Sequence, residues 1–394
     1  MKVFISACGE GFGHTSRMMA LYKEFQNRGY ETTVACYGSS LKRLQSFGLN
    51  TFETSPEARM VGEQGRFDLA RSILATSRNP TDILKAYIRE RNFIKSSGID
   101  IVISDSRLST VLAGTHSGKS TFLVSNQTSH SRTVEEGEKK LHGESLLSLG
   151  QINVKVLSKL LDVPLSLPFS YCDAVLIPDF KPPNTVCLSS LSRDVHIKKK
   201  TYITGPMSLL LYKKVEPAGW KTDKVKVLVT MGGQRFREGV LQKLSEKLRS
   251  LKSFEFIISS IFATEDIDMG NVKIRKYLPD VLPYMKSADM LVLPAGHSSI
   301  MESIILAKPS ILIPDSNQFE QIDNALRYRE LGLGEFVTLD KLNQIQAKLR
   351  RLDENYSKYK GRLERLARKA RNGENGAKNA VEMIRDFYNR VNEY

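Results

Sequence analysis

Short runs of consecutive apolar residues alternate along this chain with longer stretches in which apolar side chains recur every third or fourth position. The continuous runs, bounded by glycine and polar turns, predict strands buried on both faces. The longer recurrence predicts helices packed on one side. Val3 to Cys8 predicts the first strand, and Ser16 to Gly29 a helix carrying Met18, Met19, Leu21, Tyr22 and Phe25 on its apolar face. Thr32 to Tyr37, Ile99 to Ser104, Ser120 to Ser125, Ala174 to Ile177 and Thr201 to Thr204 predict further strands. The pattern pauses between Ser208 and Asp223, where Pro217-Ala218-Gly219 sits among basic residues and predicts a linker. A second alternation follows. Val225 to Met231, Phe254 to Ser259, Val272 to Lys276, Met290 to Leu293 and Ser310 to Ile313 predict strands, and Glu238 to Leu251 a helix. The last ~45 residues are charged and helical in pattern. Strands alternating with helices imply parallel sheets covered on both faces. The prediction is an α/β protein of two Rossmann-like domains facing a central cleft: 1–207, a linker over 208–223, and 224–375. A final helix over 376–394 is expected to pack back on the first domain. Ligands of such sheets bind beyond the C-terminal strand ends, where the strand order reverses.

Length agrees, since 394 residues suit two domains at roughly 100 to 200 residues each. The net charge of +15 favours anionic partners: phosphorylated small molecules, nucleic acid or an anionic membrane surface. No nucleic acid is expected, because neither an aromatic-plus-basic recognition signature nor a finger-like ligand spacing occurs. Cys8, Cys36, Cys172 and Cys187 form no close pair, which predicts buried thiols in a reducing compartment and no zinc site. No run reaches the ~18 to 20 apolar residues of a membrane span. The expected location is therefore cytoplasmic, with any membrane contact peripheral at the inner face. The apolar stretch Glu144 to Leu167, with Lys155 and Lys159, is the segment that would make such contact, or it is simply core.

Two segments carry candidate chemistry. Gly9-Glu10-Gly11-Phe12-Gly13-His14 joins the first strand to the first helix. The third glycine comes one residue too early for a dinucleotide fingerprint, and the second strand ends in Cys36-Tyr37-Gly38 without the acid that would hold a ribose, so a dinucleotide cofactor is disfavoured. His14 at a helix start can act as a general base or merely bond the turn. Arg17, one turn on, can pair with a phosphate or with Glu10. Asp105, in Ser104-Asp105-Ser106 at a strand end, is an alternative base or a helix cap, and Asn126-Gln127 could position an acceptor. In the second half, Gly296-His297-Ser298-Ser299 follows a strand and opens a helix, which makes a phosphate cradle. Glu302 lies three residues beyond Ser299. It can accept the two hydroxyls of a ribose, or close a capping box on Ser299.

The order Tyr277-Leu278-Pro279, the Gly296 loop, Glu302, Pro314 and Gln318 to Asn324 resembles the C-terminal domain of GT-B glycosyltransferases, in particular the peptidoglycan N-acetylglucosaminyltransferase (MurG) group and uncharacterised archaeal relatives. Met231-Gly232-Gly233-Gln234 resembles that family's Gly-Gly-Ser-Gln turn near the phosphates, and Gly205-Pro206 its hinge-proximal turn. The resemblance runs from Lys2 to about Gly334. It implies a UDP-sugar donor, with N-acetylglucosamine or a related hexose as the sugar. Gly233, Gln234, Gly296, Ser298, Ser299 and Glu302 would hold diphosphate and ribose. The backbone at Leu278 would read the base, and Glu320 and Gln321 the sugar. Gln234-Arg235-Phe236 departs from the pattern and offers Arg235 as a phosphate contact. His297 is similar to the phosphate-binding histidine of plant-type enzymes. Gly11, Gly13 and Arg17 would belong to an acceptor or phosphate loop. The acceptor would be lipid-linked or a glycan.

The resemblance implies a route that needs no metal ion held by paired carboxylates and no cofactor, and Ser104-Asp105-Ser106 carries one acid only. Gly13-His14-x-x-Arg17 also resembles the nucleotide-sugar hydrolase of pseudaminic acid synthesis, where a histidine activates water. A hydrolase or 2-epimerase of UDP-sugars is thus an alternative on the same fold. A non-catalytic nucleotide-sugar or nucleic-acid binder is another.

Overall fold

A computed structural model describes residues 1–392 apart from 11, 58, 80, 130, 134, 136–165, 234, 261–262, 277 and 279. The expected membrane-facing stretch at 144–167 lies almost wholly outside the described residues.

The first half holds β1 (Lys2–Ala7), β2 (Glu31–Cys36), β3 (Thr51–Glu53), a small hairpin of β4 (Gly62–Glu63) and β5 (Arg66–Phe67), then β6 (Ile101–Asp105), β7 (Ser120–Val124), β8 (Ala174–Ile177) and β9 (Thr201–Ile203). Apart from the hairpin they form one sheet in the order β3-β2-β1-β6-β7-β8-β9. The second half holds β10 (Val225–Thr230), β11 (Phe254–Ser260), β12 (Ile267–Met269), β13 (Val272–Lys276), β14 (Met290–Pro294), β15 (Ser310–Ile313) and β16 (Gly334–Phe336), in the order β12-β13-β11-β10-β14-β15-β16. Every pairing in the two sheets is parallel except that of β12 with β13. Each sheet is wound outward from its first strand in both directions. The order therefore reverses between β1 and β6 in one, and between β10 and β14 in the other, and a crevice opens at each reversal.

The long apolar strands match expectation to within a residue at most ends. Val3, Phe4, Ile5 and Ala7 of β1 are buried, as are Met290 to Leu293 of β14. Five short strands, β3, β12, β16 and the hairpin pair β4 and β5, lie beyond apolar periodicity because two or three residues carry too little of it. The first helix is the main difference. It runs Phe12–Asn27, four residues ahead of the expected start, and takes His14 into its first turn. Gly-Phe-Gly is a poor helix former. The early start is supported by the opposite half, where Ser298 Oγ donates to the Gly13 carbonyl at 3.1 Å.

Two features tie the halves. The final helix, Gly376–Asn392, returns to the first sheet and buries Ala377, Ala380, Val381 and Ile384 in the same cluster as Val3, Ile5 and Phe25. It can do so because two glycines let backbones touch: a Cβ on Gly376 would lie 2.0 Å from the Gly205 carbonyl oxygen, and one on Gly205 2.1 Å from that of Glu374. The hairpin of β4 and β5 reaches across to the second half. Gly65 N donates to Phe236 O at 2.5 Å, Phe67 N donates to Asp315 Oδ2 at 2.7 Å, and Asn317 Nδ2 donates to Phe67 O at 2.8 Å.

Candidate active site

The two crevices face each other across one cleft of about 320 Å³, lined by Gly13, His14, Gly233, Gly296, Glu302 and Glu320 among others. On the first side stands a buried ionic group. Asp105 ends β6, directly beside the end of β1, and has no exposed side-chain surface. Arg17 lies along it, with Nε donating to Oδ2 at 3.1 Å and Nη2 to Oδ1 at 2.8 Å. This is the two-pronged geometry that makes guanidinium–carboxylate pairs strong. His14 Nδ1 sits 3.0 Å from the same Oδ1 and 2.9 Å from Arg17 Nη2. The two contacts favour opposite tautomers: a proton on Nδ1 suits the carboxylate, and a lone pair there suits the guanidinium. The imidazole is 26% exposed, and its Nε2 has no partner among the described residues. Burial pushes the Asp105 carboxyl upward, but Arg17 and then His14 outweigh it and hold it below the ordinary aspartate value.

Asp105 therefore has no free face toward the cleft, and it caps no helix. The helix Leu108–Thr115 has Arg107 at its N-cap, and Glu57 Oε1 accepts from the amides of Leu108 and Ser109 at 2.8 and 3.3 Å. Asn126 is likewise occupied. Its Oδ1 accepts from Arg17 Nη1 at 3.2 Å, and its Nδ2 donates to Glu320 Oε1 at 2.6 Å. Gln127 turns away and bonds Thr133 Oγ1 at 3.0 Å within its own half.

Across the cleft, the helix His297–Ile305 starts where β14 ends. Gly296 is its N-cap, so Ser299 lies inside the helix and the capping box is not formed. No side chain caps the first turn. Ile300 N makes the first backbone bond, to Gly296 O, which leaves the amides ahead of it aimed out of the helix, as an anion requires. Glu302 Oε1 accepts from Ser16 Oγ of the opposite half at 2.9 Å, and Oε2 has no partner among the described residues. Burial raises the Glu302 carboxyl, and the Ser16 bond lowers it in part.

His297 is the residue whose setting differs most from its resemblance. Its side chain is 3% exposed and lies 3.1 Å from Asp179 Oδ2 of the first half. Asp179 also accepts from the amides of Phe180, Val186 and Cys187. Burial pushes the Asp179 carboxyl up, and His297 with these bonds brings it below the ordinary value. Cys187 completes a buried Asp179–Cys187–His297 group. Oδ1 accepts from the Phe180 amide and Oδ2 from those of Val186 and Cys187, with His297 Nε2 3.1 Å away, so the group reads as an inter-half contact. The His297 imidazole thus faces Asp179 with neither ring nitrogen in a well-aligned hydrogen bond among the described residues, while its backbone stands at the helix start.

Glu320 Oε2 is unpartnered among the described residues, whereas Gln321 is engaged at both ends: Oε1 accepts from Arg237 and from the Asp315 amide, each at 3.2 Å, and Nε2 donates to Gln318. Leu278 and Gly233 line the cleft. Gly11 and Gln234 lie outside the described residues, as does the Arg235 side chain. Sequence reasoning missed Arg237 and Ser16. Arg237 is 5% exposed and lines the cleft; it donates to Gln321 Oε1 at 3.2 Å and lies 3.8 Å from Asp315 Oδ2. It was hidden by Arg235 two residues earlier. Ser16 shows its meaning only once Glu302 is seen beside it.

The family description "Glycosyl transferase family 1" matches residues 1–352. An uncharacterized glycosyltransferase of Methanosarcina mazei is 29% identical over 93% of this chain and 93% of its own. The UDP-N-acetylglucosamine--N-acetylmuramyl-(pentapeptide) pyrophosphoryl-undecaprenol N-acetylglucosamine transferase of Clostridium botulinum is 25% identical over 98% of this chain and 99% of its own. Among solved structures, the Streptomyces sp. SF2575 glycosyltransferase SsfS6, complexed with thymidine diphosphate, superposes with a TM-score of 0.62 at 17% identity, covering 98% of this chain and 99% of that one. The fold is thus that of GT-B glycosyltransferases. Among the described residues no helix is long and apolar enough to cross a membrane.

Proposed function

The chain belongs to glycosyl transferase family 1, and from that premise we propose that it moves a hexose, N-acetylglucosamine or a relative, from a UDP-sugar to a lipid-linked or glycan acceptor. The observation that carries this is the pairing across one cleft of an uncapped helix start at Gly296 with the His14–Asp105 pair, where the helix Phe12–Asn27 meets the end of β6. One side suits a diphosphate and the other suits an acceptor hydroxyl. The Clostridium relative's name supplies UDP-N-acetylglucosamine and a lipid diphosphate acceptor, and the SsfS6 complex holds another pyrimidine nucleoside diphosphate.

In this reading the amides at 297–299 and the Arg237 guanidinium meet the diphosphate charge, and Glu302 Oε2 accepts from a ribose hydroxyl. With its proton on Nδ1 toward Asp105, His14 offers the Nε2 lone pair to the acceptor hydroxyl. The proton passes to Nε2, and the acceptor oxygen forms its bond to the anomeric carbon. The bond from that carbon to the diphosphate oxygen breaks, and its electron pair leaves with the nucleoside diphosphate. Asp105 stabilises the imidazolium formed and keeps its own charge, as its lowered carboxyl requires. Arg17 keeps that buried carboxylate neutralised between turnovers.

The test is nucleoside diphosphate release from a set of UDP- and TDP-sugars, with and without lipid-linked and glycan acceptors. Acceptor-dependent release, lowered about 100-fold or more in His14→Ala, is expected. Stoichiometric release of free sugar from donor alone would sink the transferase reading in favour of a hydrolase.

A further inference from the structure

Five side chains form an unbroken line across the cleft. His14 Nδ1 lies 3.0 Å from Asp105 Oδ1, Asp105 accepts twice from Arg17, Arg17 Nη1 donates to Asn126 Oδ1 at 3.2 Å, and Asn126 Nδ2 donates to Glu320 Oε1 at 2.6 Å. Asn126, Arg17 and Asp105 are 8%, 3% and 0% exposed, so these bonds lie where they are electrostatically strong. The direction of every link but the first is fixed by chemistry. Arg17 can only donate and the two carboxylates can only accept, so Asn126 must turn its oxygen to Arg17 and its amide nitrogen to Glu320. The first link is the open one, because Nδ1 touches both Asp105 and Arg17 Nη2, which favour opposite tautomers.

We propose that Asn126 is a positioning residue that decides this contest: anchored on Glu320, it holds Arg17 flat along Asp105, so that Nδ1 keeps its proton and Nε2 stays the base. With the anchor in place Arg17 Nη2 is shared between Asp105 Oδ1 at 2.8 Å and Nδ1 at 2.9 Å; without it the guanidinium is free to leave Asp105 and give that N–H to Nδ1 alone. The ring then loses one proton from Nδ1 to solvent and takes one from solvent on Nε2, and it can no longer accept from an acceptor hydroxyl. Glu320 is placed to report occupancy, since it lines the cleft, its Oε1 accepts from Asn126 and, at 3.4 Å, from Asn324 Nδ2, and its Oε2 has no partner among the described residues. This rests on the reading of Glu320 as a donor-site carboxylate. A sugar that engages Oε2 fixes the anchor, and the competent tautomer of His14 follows. The relay also joins the two halves, so it exists only when they are closed on each other.

The experiment is imidazole ¹⁵N NMR of the full chain labelled in its six histidines, with the His14 signals assigned by their loss in His14→Gln. It is read beside steady-state kinetics on the best donor. The wild type is expected to show Nδ1–H at His14. Asn126→Ala is expected to move His14 toward Nε2–H and to lower kcat about tenfold or more while donor KM changes by less than about threefold. Glu320→Gln keeps an oxygen for Asn126 and is expected to keep the wild-type tautomer, whereas Glu320→Ala is expected to lose it. An unchanged His14 tautomer in both Asn126→Ala and Glu320→Ala overturns the proposal, and the second variant serves where the first does not fold. Because the tautomer is read without turnover, a wild type inactive on every donor counts against the proposed function and leaves the relay to the NMR result.

Discussion

At the scale of single residues, the site rests on charges that are buried and matched. Asp105 is enclosed by Arg17 and His14, and its carboxyl lies below the ordinary aspartate value. A depressed carboxyl binds its proton less readily folded than unfolded. Its contribution to stability is therefore full above the unfolded aspartate value, near 4, and is lost as pH falls through the folded value. Asp105→Ala removes this contribution and also strands Arg17, 3% exposed, as an unpaired buried cation. The expected loss is about 3 to 5 kcal/mol in denaturant unfolding at neutral pH, smaller in acid. Glu302→Ala should leave stability nearly unchanged, since a partly buried carboxylate raised by burial contributes little, yet weaken UDP binding at least tenfold by calorimetry; the relevant loss is one hydrogen bond to a charged group, about 1.5 to 3 kcal/mol. Residue types and spacing showed His14, Glu302 and the Gly296 loop plainly, because histidine after glycines and glutamate one turn past a helix start are local patterns. They could not show partners. Asn126 reads as a free amide at a strand end, and only the placement of Glu320, far off in sequence, reveals that both its ends are taken. For the same reason Ser299 and Glu302 read as a capping box until the helix start is located at His297.

At the scale of elements, strands were legible wherever apolar runs filled the middle of a sheet, and illegible where the chain makes short edge or bridging pieces. The hairpin of β4 and β5 is the instructive case. Its six residues carry no apolar period, yet they contact Phe236, beside the expected donor residues Gly233 to Arg235, and Asp315 and Asn317, just ahead of Glu320 and Gln321. Gly65 has φ +87, and a Cβ there would lie 2.4 Å from Val240 Cγ2. Gly65→Val is therefore expected to undock the hairpin. Limited proteolysis should then cut within 61–68 several-fold faster, while circular dichroism of the two sheets stays the same. Equal cleavage rates would mean that the docking adds no protection. The final helix gives a second element-scale prediction. Gly205 and Gly376 meet backbone to backbone, and Gly205 has φ +106. Gly205→Ala should cost more than the ~1 kcal/mol of an ordinary glycine exchange, because both the left-handed backbone and the contact with Glu374 are lost. The check is a urea midpoint lowered well below that of an Ala at Gly219, where nothing lies within 4 Å.

At the scale of the whole molecule, two doubly wound sheets place their points of strand reversal face to face, and this arrangement generates a cleft with the helix start at Gly296 on one wall and His14 on the other. The two sheets follow from alternation of strands and helices, and the break in that pattern over 208–223 marks where the first winding stops. What alternation does not carry is the closure. Ser16 on Glu302, Ser298 on Gly13, Asn126 on Glu320 and His297 on Asp179 all join residues from opposite halves. The net charge of +15 adds a field that draws anionic donors in, and donor KM is expected to rise as ionic strength screens it. The central claim is that the Gly296 to Glu302 segment holds a nucleoside diphosphate across from His14. Thermal unfolding with a panel of nucleoside diphosphates and their sugars tests it most directly. UDP or a UDP-sugar near 100 times its Kd should stabilise the wild type by about 2.7 kcal/mol and raise its Tm by several degrees, with the shift reduced in Glu302→Ala and kept in His14→Ala. A panel in which no nucleoside diphosphate or nucleotide sugar moves the wild-type Tm would contradict the account.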